Sequence, residues 1–243
     1  MEEKVTPYKD SNTGKKQQVE KMFDTISGNY DSLNRIISLG IDVKWRKKVL
    51  NLIAEHKPKT ILDIATGTGD LAIQFAKKTD AEKIVGLDLS EGMLSIARKK
   101  VANSELNDTL EFVKGDSEAL HFPDNSFEAI TVSFGIRNFE NLEKGLSEIY
   151  RVMVPGGHFV ILETSVPTHF PWKQGYYMYI RGILPVIGRL FSKDRVAYAY
   201  LGKSASVFPF GEKLNNILKK IGFIEVENKP QSFGVATIYT ATK

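Results

Sequence analysis

The residues of this chain that are best suited to chemistry begin with a turn that contains two glycines. The segment ILDIATGTGD, residues 61–70, has the pattern of a buried strand that breaks at Gly67 and Gly69 and continues into a helix. Glycine suits such a turn because it has no Cβ and adopts positive φ angles readily. The first backbone N–H groups of the helix lack partners within it and can donate to a ligand. The turn therefore predicts a binding site for a nucleotide-like cofactor.

Two cofactors are compatible with this turn. The spacing Gly67-x-Gly69-x-x-Ala72 satisfies the dinucleotide fingerprint, and Asp88 ends the next predicted strand, where an acid holds ribose hydroxyls. Asp63, however, lies within the first strand just before the turn, and its carboxylate would repel a pyrophosphate. S-adenosylmethionine carries an ammonium and a sulfonium and no phosphate. We therefore predict that Asp63 is a cofactor-binding residue and that the cofactor is S-adenosylmethionine rather than NAD. An NAD-dependent oxidoreductase is the alternative function.

Further polar residues follow the other predicted strands. Ligands of open α/β sheets bind beyond the carboxyl ends of the strands, so these residues are expected to lie close together. We expect Asp88 to accept from two ribose hydroxyls, and Asp116, with Ser117 beside it, to accept from the adenine amine. Ser133 closes the fourth strand, and Met93, on the helix after Asp88, can pack on the purine face.

Alternating elements position these residues. Helical spacing of apolar residues occurs near the N-terminus over Val19–Ile26, Leu33–Ser38 and Asp42–Ala54. From Lys59 onward the pattern predicts strands at Thr60–Ala65, Lys83–Asp88, Leu110–Lys114, Ala129–Phe134 and His158–Glu163. Helices are expected between them at Leu71–Lys78, Gly92–Ala102 and Leu142–Val152. The chain ends with a predicted helix and two strands at Glu212–Ile221, Ile224–Asn228 and Val235–Ala241.

This order predicts an α/β fold with a Rossmann-like, doubly wound, seven-stranded sheet. The short PQSFG link between the last two strands indicates a C-terminal antiparallel hairpin. We expect residues 1–18 to be flexible and residues 19–243 to form one domain. Within it, residues 19–58 form an N-terminal helical extension, and residues 168–205 form a helical insertion, or lid, before the last helix.

Composition excludes several classes of function. The 243 residues contain 33 Lys and Arg against 29 acids, and the net charge of +4 gives no reason to expect nucleic acid as a partner. The chain has no cysteine and only four dispersed histidines, so we expect no disulfide and no metal site. The first twenty residues lack the features of a signal or transit peptide, and no run of 18 apolar residues occurs. We therefore expect a cytoplasmic protein.

The insertion at residues 168–205 breaks the alternation of strands and helices. It contains six basic residues against one acid, Asp194, and eight aromatic residues: Phe170, Trp172, Tyr176, Tyr177, Tyr179, Phe191, Tyr198 and Tyr200. Aromatic residues beside Lys and Arg suit an apolar groove or a bilayer interface. One hypothesis is that the insertion covers the cofactor, admits an apolar substrate and touches anionic lipid at the inner face of a membrane. The alternative is a helical lid that packs on the sheet without lipid contact.

The order of DIATGTGD, LDLSEGML, KGDSEALHFPDNSF and RVMVPGGHFVILE resembles that of class I S-adenosylmethionine-dependent methyltransferases. Ala65 replaces a glycine that is usual in their first motif. The segments NYDSLNRIISLGIDVKW, residues 29–45, and SFGIRNF, residues 133–139, are similar to signatures of the ubiquinone/menaquinone biosynthesis C-methyltransferases. This resemblance implies S-adenosylmethionine as cofactor and a polyprenylated quinol as substrate. Carried over by position, the implied cofactor contacts are Thr68, Asp88, Asp116, Ser117 and Ser133.

The chemistry of such a substrate assigns roles to three further residues. Loss of a phenolic proton from a quinol places negative charge on the adjacent ring carbon, which can then attack an electrophilic methyl group. Arg137 follows the fourth strand and is expected to stabilise the phenolate, or to hold a water that carries the proton away. It cannot act as a base itself because its guanidinium stays charged. Asn138 is expected to orient the same oxygen, and Tyr30 to close the site.

Several readings of the function stay open at this point. Demethylmenaquinol is the favoured acceptor, and 2-methoxy-6-polyprenyl-1,4-benzoquinol is the alternative. A methyltransferase for nucleic-acid or protein amines usually carries an Asn/Asp-Pro-Pro-Tyr type of motif where this chain has SFGIRN. A non-enzymatic carrier of isoprenoid quinones would use the aromatic insertion alone.

Overall fold

A seven-stranded sheet forms the centre of the molecule in this computed structural model, which describes residues 5–8, 13–183 and 195–243. Its strands are β1 (Thr60–Ile64), β2 (Lys83–Asp88), β3 (Leu110–Lys114), β4 (Phe127–Ser133), β5 (Met153–Thr164), β6 (Ile224–Gln231) and β7 (Ala236–Thr242). They lie in the order β3-β2-β1-β4-β5-β7-β6. β1 to β5 pair in parallel, whereas β7 is antiparallel to both β5 and β6. The predicted Rossmann-like sheet with a closing hairpin is thus confirmed.

Helices cover both faces and one end of this sheet. The described helices are α1 (Lys15–Ile26), α2 (Tyr30–Ile37), α3 (Ile41–Ala54), α4 (Asp70–Lys78), α5 (Glu91–Val101), α6 (Leu142–Val152), α7 (Trp172–Met178), α8 (Arg195–Val207) and α9 (Glu212–Ile221). Short 3₁₀ turns at Ile136–Asn138 and Ser232–Gly234 carry residues of the site described below. Over the described ranges, no helix is both long enough and apolar enough to cross a membrane.

The predicted elements and the observed ones differ mainly at their ends. α1 begins at Lys15, four residues before the predicted start and inside the stretch that we expected to be flexible. β6 extends to Gln231 rather than Asn228 and includes Pro230. Proline is tolerated there because β6 is the edge strand and its outer side needs no ladder hydrogen bond.

The described part of the insertion begins with non-helical residues 168–171 and is helical after them, in α7, in the π-helical turn at Tyr179–Ile183 and in α8. Residues 184–194 lie outside the described residues. The expectations for Phe191 and Asp194 fall on that segment, and for Tyr198 only the helical backbone is described.

The apolar core lies on both faces of the sheet, as expected from β1, whose residues Ile61 to Ile64 are all buried although Asp63 is polar. Leu62 and Ile64 face the core that contains α6 and α9, whereas Ile61 faces the core that contains α3, α4 and α5. A third cluster joins α1 and α2 to Met93 of α5 and to Tyr200 of α8. This cluster holds the N-terminal helices and the insertion beside the start of α5, which follows β2.

Candidate active site

The glycine turn after β1 combines three residues with positive φ angles. Gly67 and Gly69 have φ angles of 59° and 79°, and Ala65 has one of 53°. A Cβ on Gly69 would lie 2.6 Å from the Phe112 ring, so this glycine permits close packing of the turn on the sheet. A Cβ on Gly67 would meet only Tyr30, at 3.9 Å. The positive φ of Ala65 also explains why a glycine would suit that position.

A cavity lies at the carboxyl ends of β1, β2 and β4, and we call it the strand-end cavity. It is walled by residues of these strand ends, by the first turn of α5 and by one face of α1, which contributes Lys16, Val19 and Phe23. Eight residues predicted from the sequence line it: Tyr30, Gly67, Asp88, Met93, Asp116, Ser117, Ser133 and Asn138. The fold therefore brings most of the predicted site together, although these residues are spread over more than a hundred positions.

Asp88 is held in a fixed orientation at the end of β2. Its Oδ2 accepts from the Gly67 N–H at 2.8 Å, and its Oδ1 accepts from the Ser90 N–H at 2.8 Å. A carboxylate oxygen can accept two hydrogen bonds, so both oxygens keep capacity for a further donor. Burial raises the pKa of Asp88 to about 6, although the two backbone donors stabilise the ionised carboxylate and act in the opposite direction.

Two other features of the strand-end cavity suit the predicted cofactor, S-adenosylmethionine. The hydroxyl of Ser133 is buried on the cavity wall and has no hydrogen-bond partner, as expected for a group that a ligand satisfies. Met93 offers an apolar surface that is almost fully buried. Asp116 also lines this cavity and forms an ion pair with Lys16 of α1, with a distance of 2.5 Å between Nζ and Oδ2.

Three residues predicted to bind the cofactor do not line this cavity. Asp63 is buried beneath the turn, where it accepts from the hydroxyls of Thr66 at 2.7 Å and Thr131 at 2.6 Å. Gly69 faces Phe112, and Thr68 donates to Asp31 of α2 at 2.6 Å. In this structure Asp63 and Gly69 contact residues of the turn and the sheet, and Thr68 connects the turn to α2.

We expect binding of S-adenosylhomocysteine, the demethylated cofactor, to weaken as the pH falls below about 6. Only the ionised carboxylate of Asp88 can accept from two hydroxyls, and its pKa in the folded protein is about 6. The affinity should fall about tenfold per pH unit below that value. Isothermal titration calorimetry between pH 5 and 8 measures this dependence, and in the Asp88→Asn variant the residual affinity should not change over this range. A pH-independent wild-type affinity would contradict the role given to Asp88.

A fall in pH weakens cofactor binding, but it should stabilise the unliganded protein through two buried carboxyl groups. Burial raises the pKa values of Asp63 and Asp88 from 3.8 to about 6, so the folded state binds protons that the unfolded state has released. The contribution of these groups to the free energy of unfolding therefore increases as the pH falls from about 6 towards 4.

A second cavity, which we call the aromatic cavity, adjoins the first and has a volume of about 570 Å³. Its walls come from α2, α3, the segment after β4, the insertion and residues 232–235. Most lining residues are apolar, and the aromatic ones are Tyr30, Trp45, Phe134, Trp172, Tyr176, Tyr179 and Phe233. Tyr30 and Phe134 line both cavities, so they form the wall between them.

Arg137 lines the aromatic cavity as one member of a buried ion pair. Its Nη1 donates to Glu163 Oε1 at 2.5 Å and to the Phe134 carbonyl at 2.8 Å, whereas its buried Nε has no partner. Burial alone would lower the pKa of Arg137, but the charge of Glu163 outweighs it and raises the pKa above its usual value. Glu163 was not among the predicted site residues, although it is an acid at the end of the apolar run FVILE.

Asn138 is oriented by a residue of the insertion. The Tyr200 hydroxyl donates to Asn138 Oδ1 at 3.1 Å. Burial raises the pKa of Tyr200 to about 12, although the nearby charge of Arg137 acts in the opposite direction. Tyr200 is therefore protonated at neutral pH and serves as a donor. The sequence marked it only as one of eight aromatic residues in the insertion.

Comparison with known proteins shows which family the sequence of this chain matches. The model of the ubiE/COQ5 methyltransferase family matches residues 11–243. A demethylmenaquinone methyltransferase of Bacteroides fragilis is 48% identical over 100% of this chain and 98% of its own length. The ubiquinone/menaquinone biosynthesis C-methyltransferase of Geobacter sulfurreducens is 41% identical, over 99% of this chain and 93% of its own.

Solved structures resemble the fold at much lower identity. A protein of Thermotoga maritima, described as a S-adenosylmethionine-dependent methyltransferase and possible histamine N-methyltransferase, has a TM-score of 0.63 at 19% identity. That match covers 92% of this chain and 99% of the other. The match along nearly the whole sequence is decisive: this chain belongs to the ubiE/COQ5 methyltransferase family, which confirms the predicted enzyme class and the predicted methyl donor, S-adenosylmethionine.

Proposed function

We propose that this protein methylates the ring carbon of demethylmenaquinol and so produces menaquinol. The observation that carries the proposal is the aromatic cavity, which contains the buried Arg137 and shares the wall of Tyr30 and Phe134 with the strand-end cavity. An apolar cavity with few polar groups suits an aromatic ring with an apolar tail. The name of the relative that is 48% identical supports the naphthoquinol over the benzoquinol.

The residues of the chain account for the requirements of this reaction. Bound S-adenosylmethionine supplies an electrophilic methyl group, which the ring carbon takes as the carbon–sulfur bond breaks. The quinol gives its phenolic proton to water before this transfer. Afterwards the ring carbon loses its own proton to water and the oxygen regains one, which restores the aromatic quinol. The shared wall holds the ring beside the donor site, and this alignment supplies a large part of the catalysis.

Arg137 is the residue that we assign to the negative charge of the acceptor. It is buried beside an apolar cavity, where a positive charge stabilises a phenolate more strongly than it does in water. Its orientation is fixed by Glu163 and by the Phe134 carbonyl, while Nε keeps a free donor. We also propose that Asn138, whose Oδ1 accepts from Tyr200, orients the same oxygen from the strand-end cavity, which it lines.

Incubation of the protein with S-adenosylmethionine and chemically reduced demethylmenaquinone tests this function. Mass spectrometry should detect a product that is heavier by one methylene group, and the oxidised quinone should give none. A parallel reaction contains 2-methoxy-6-polyprenyl-1,4-benzoquinol. Transfer to the benzoquinol but not to the naphthoquinol would overturn the assignment in favour of the ubiquinone branch.

We also propose that the mouth of the aromatic cavity contacts the inner face of the membrane. Three exposed apolar residues, Leu39, Trp172 and Phe233, line this cavity. Two more exposed ones, Phe170 and Met178, lie within two positions of lining residues in the sequence, and we call all five the apolar rim. Trp172 and Phe233 stack with their ring centroids 3.7 Å apart. A contiguous exposed apolar patch is typical of an interaction site, and a polyprenyl tail reaches this cavity from a bilayer.

Sedimentation with anionic liposomes tests the membrane contact. We expect the wild type to bind, and the triple variant Leu39→Ser, Phe170→Ser, Phe233→Ser to bind at least fivefold less, because burial of each large apolar side chain contributes about 1.5–3 kcal/mol. Ile224→Ser is the matched control, since Ile224 is exposed but lies on the edge strand β6. Equal sedimentation of the triple variant and the wild type would contradict the role of the rim, as would a wild type that stays in the supernatant.

A further inference from the structure

We propose that Arg46 binds the second oxygen of the quinol ring, the one across the ring from the oxygen that Arg137 stabilises. This inference rests on the proposed function, because it concerns how the same cavity holds the substrate. Arg46 lies on α3, and neither its position nor its type marked it in the sequence as a site residue.

The position of Arg46 supports a contact with the substrate. Its side chain lines the aromatic cavity and is 15% exposed. Its Cζ lies 5.8 Å from the centre of the Phe134 ring, and Arg137 donates to the carbonyl of the same Phe134. Both guanidinium groups therefore lie close to Phe134, which forms part of the wall of this cavity. Among the described residues that line this cavity, Arg46 and Arg137 are the two that carry a positive charge.

Arg46 has hydrogen-bonding capacity that the protein does not use. Its Nε is buried and has no hydrogen-bond partner. Its ion pairs with Asp42 and Asp70, at 4.0 and 3.6 Å, are longer than hydrogen bonds. Asp42 already accepts from Ser38 at 2.7 Å, and Asp70 accepts from Lys100 at 2.6 Å. The surrounding carboxylates attract the guanidinium, but its donors stay available to a ligand.

The chemistry of the acceptor matches two such donors. A quinol carries two oxygens at opposite ends of its ring, and a mostly apolar cavity offers each of them few partners. A buried polar group without a hydrogen bond costs about 1–3 kcal/mol, so a site for this ring needs a donor at each end. Arg137 serves the oxygen next to the reacting carbon, and Arg46 serves the other.

A substrate analogue separates this role from a structural one. 3-Prenyl-1-naphthol keeps the hydroxyl next to the reacting carbon and the prenyl group, but it lacks the oxygen across the ring. For the Arg46→Ala variant we expect the KM for prenylated demethylmenaquinol to rise about tenfold or more, with kcat changed less than threefold, since one charged hydrogen bond is lost. The inhibition constant of the naphthol, measured against the quinol, should be the same in variant and wild type.

Arg35→Ala is the matched control, because Arg35 pairs with the same Asp70 at 3.7 Å but is more than half exposed and does not line the cavity. It should leave the KM for the quinol unchanged. If Arg46→Ala raises the KM for the quinol and the inhibition constant of the naphthol by the same factor, the proposal is overturned and Arg46 is a structural residue. An unchanged KM for the quinol would also overturn the proposal. A wild type that methylates neither quinol would instead contradict the proposed function.

Discussion

The Asp88→Ala variant should lose binding of S-adenosylhomocysteine by at least a hundredfold. Its carboxylate is fixed at the end of β2 by the N–H groups of Gly67 and Ser90, and each oxygen keeps capacity for one more donor. Two hydrogen bonds to a charged acceptor contribute about 1.5–3 kcal/mol each, and each 1.4 kcal/mol corresponds to a factor of about ten in affinity. Isothermal titration calorimetry at pH 7.5, above the Asp88 pKa of about 6, measures the loss.

Two controls separate binding from folding in this experiment. The substitution also leaves the Gly67 and Ser90 N–H groups without their acceptor, so thermal unfolding of each variant must be recorded in the absence of ligand. Glu91→Ala changes an acid at the start of α5 that is half exposed and pairs with Arg98. It should retain wild-type affinity. A folded Asp88→Ala protein with an affinity within threefold of the wild type would show that Asp88 does not hold the cofactor.

The Arg137→Ala variant should lose turnover by about 10²–10³-fold, in line with the removal of one group that stabilises a developing negative charge. Binding of S-adenosylhomocysteine should change little, because Arg137 lines the aromatic cavity rather than the strand-end cavity. The variant should also be less stable by about 3–5 kcal/mol, since Glu163 is left buried without its partner. Single-turnover kinetics and urea unfolding measure the two effects.

A double variant distinguishes the two roles of this ion pair. Arg137→Met combined with Glu163→Leu replaces both charges by apolar groups, which is often neutral for stability. We expect the double variant to unfold at nearly the urea concentration of the wild type and to remain as inactive as Arg137→Ala. Recovery of turnover together with stability would mean that Arg137 acts only through the fold.

The fold could be predicted from the sequence because its elements follow local patterns. The apolar run before Gly67 and the helical spacing after Gly69 fixed β1 and α4 to within one residue. The ends of strands that depend on contacts with neighbouring strands were less predictable. β6 continues through Pro230 because of its place at the sheet edge, which no local pattern reveals.

The site was predictable where residues end parallel strands, since topology brings such ends together. Asp88 and Ser133 follow this rule and line the strand-end cavity, and their contacts with the cofactor stay predictions. Asp63 was placed at the ligand from its charge and its position just before the turn, but its direction within β1 takes it beneath the turn to Thr66 and Thr131. The charge argument could not supply that direction.

The residues that the sequence did not reveal depend on contacts between distant segments. Lys16 reaches Asp116 from α1, and Glu163 reaches Arg137 from β5. Arg46 lies on the buried side of α3, one turn after Asp42 and one turn before Leu50, but only the packing of α3 against the segment after β4 places it in a cavity. Such pairings need the three-dimensional structure.

The shared wall of Tyr30 and Phe134 separates two halves of the proposed site, and the residues around them differ in how freely they can change in sequence. The donor half is built largely on the ends of β1, β2 and β4, where a shift would disturb the sheet. The acceptor half is built mostly from α2, α3, the insertion and residues 232–235, which lie outside the parallel core. Exchange of these outer segments between relatives would therefore transfer a preference for one ring over another while the machinery for the methyl group stays intact.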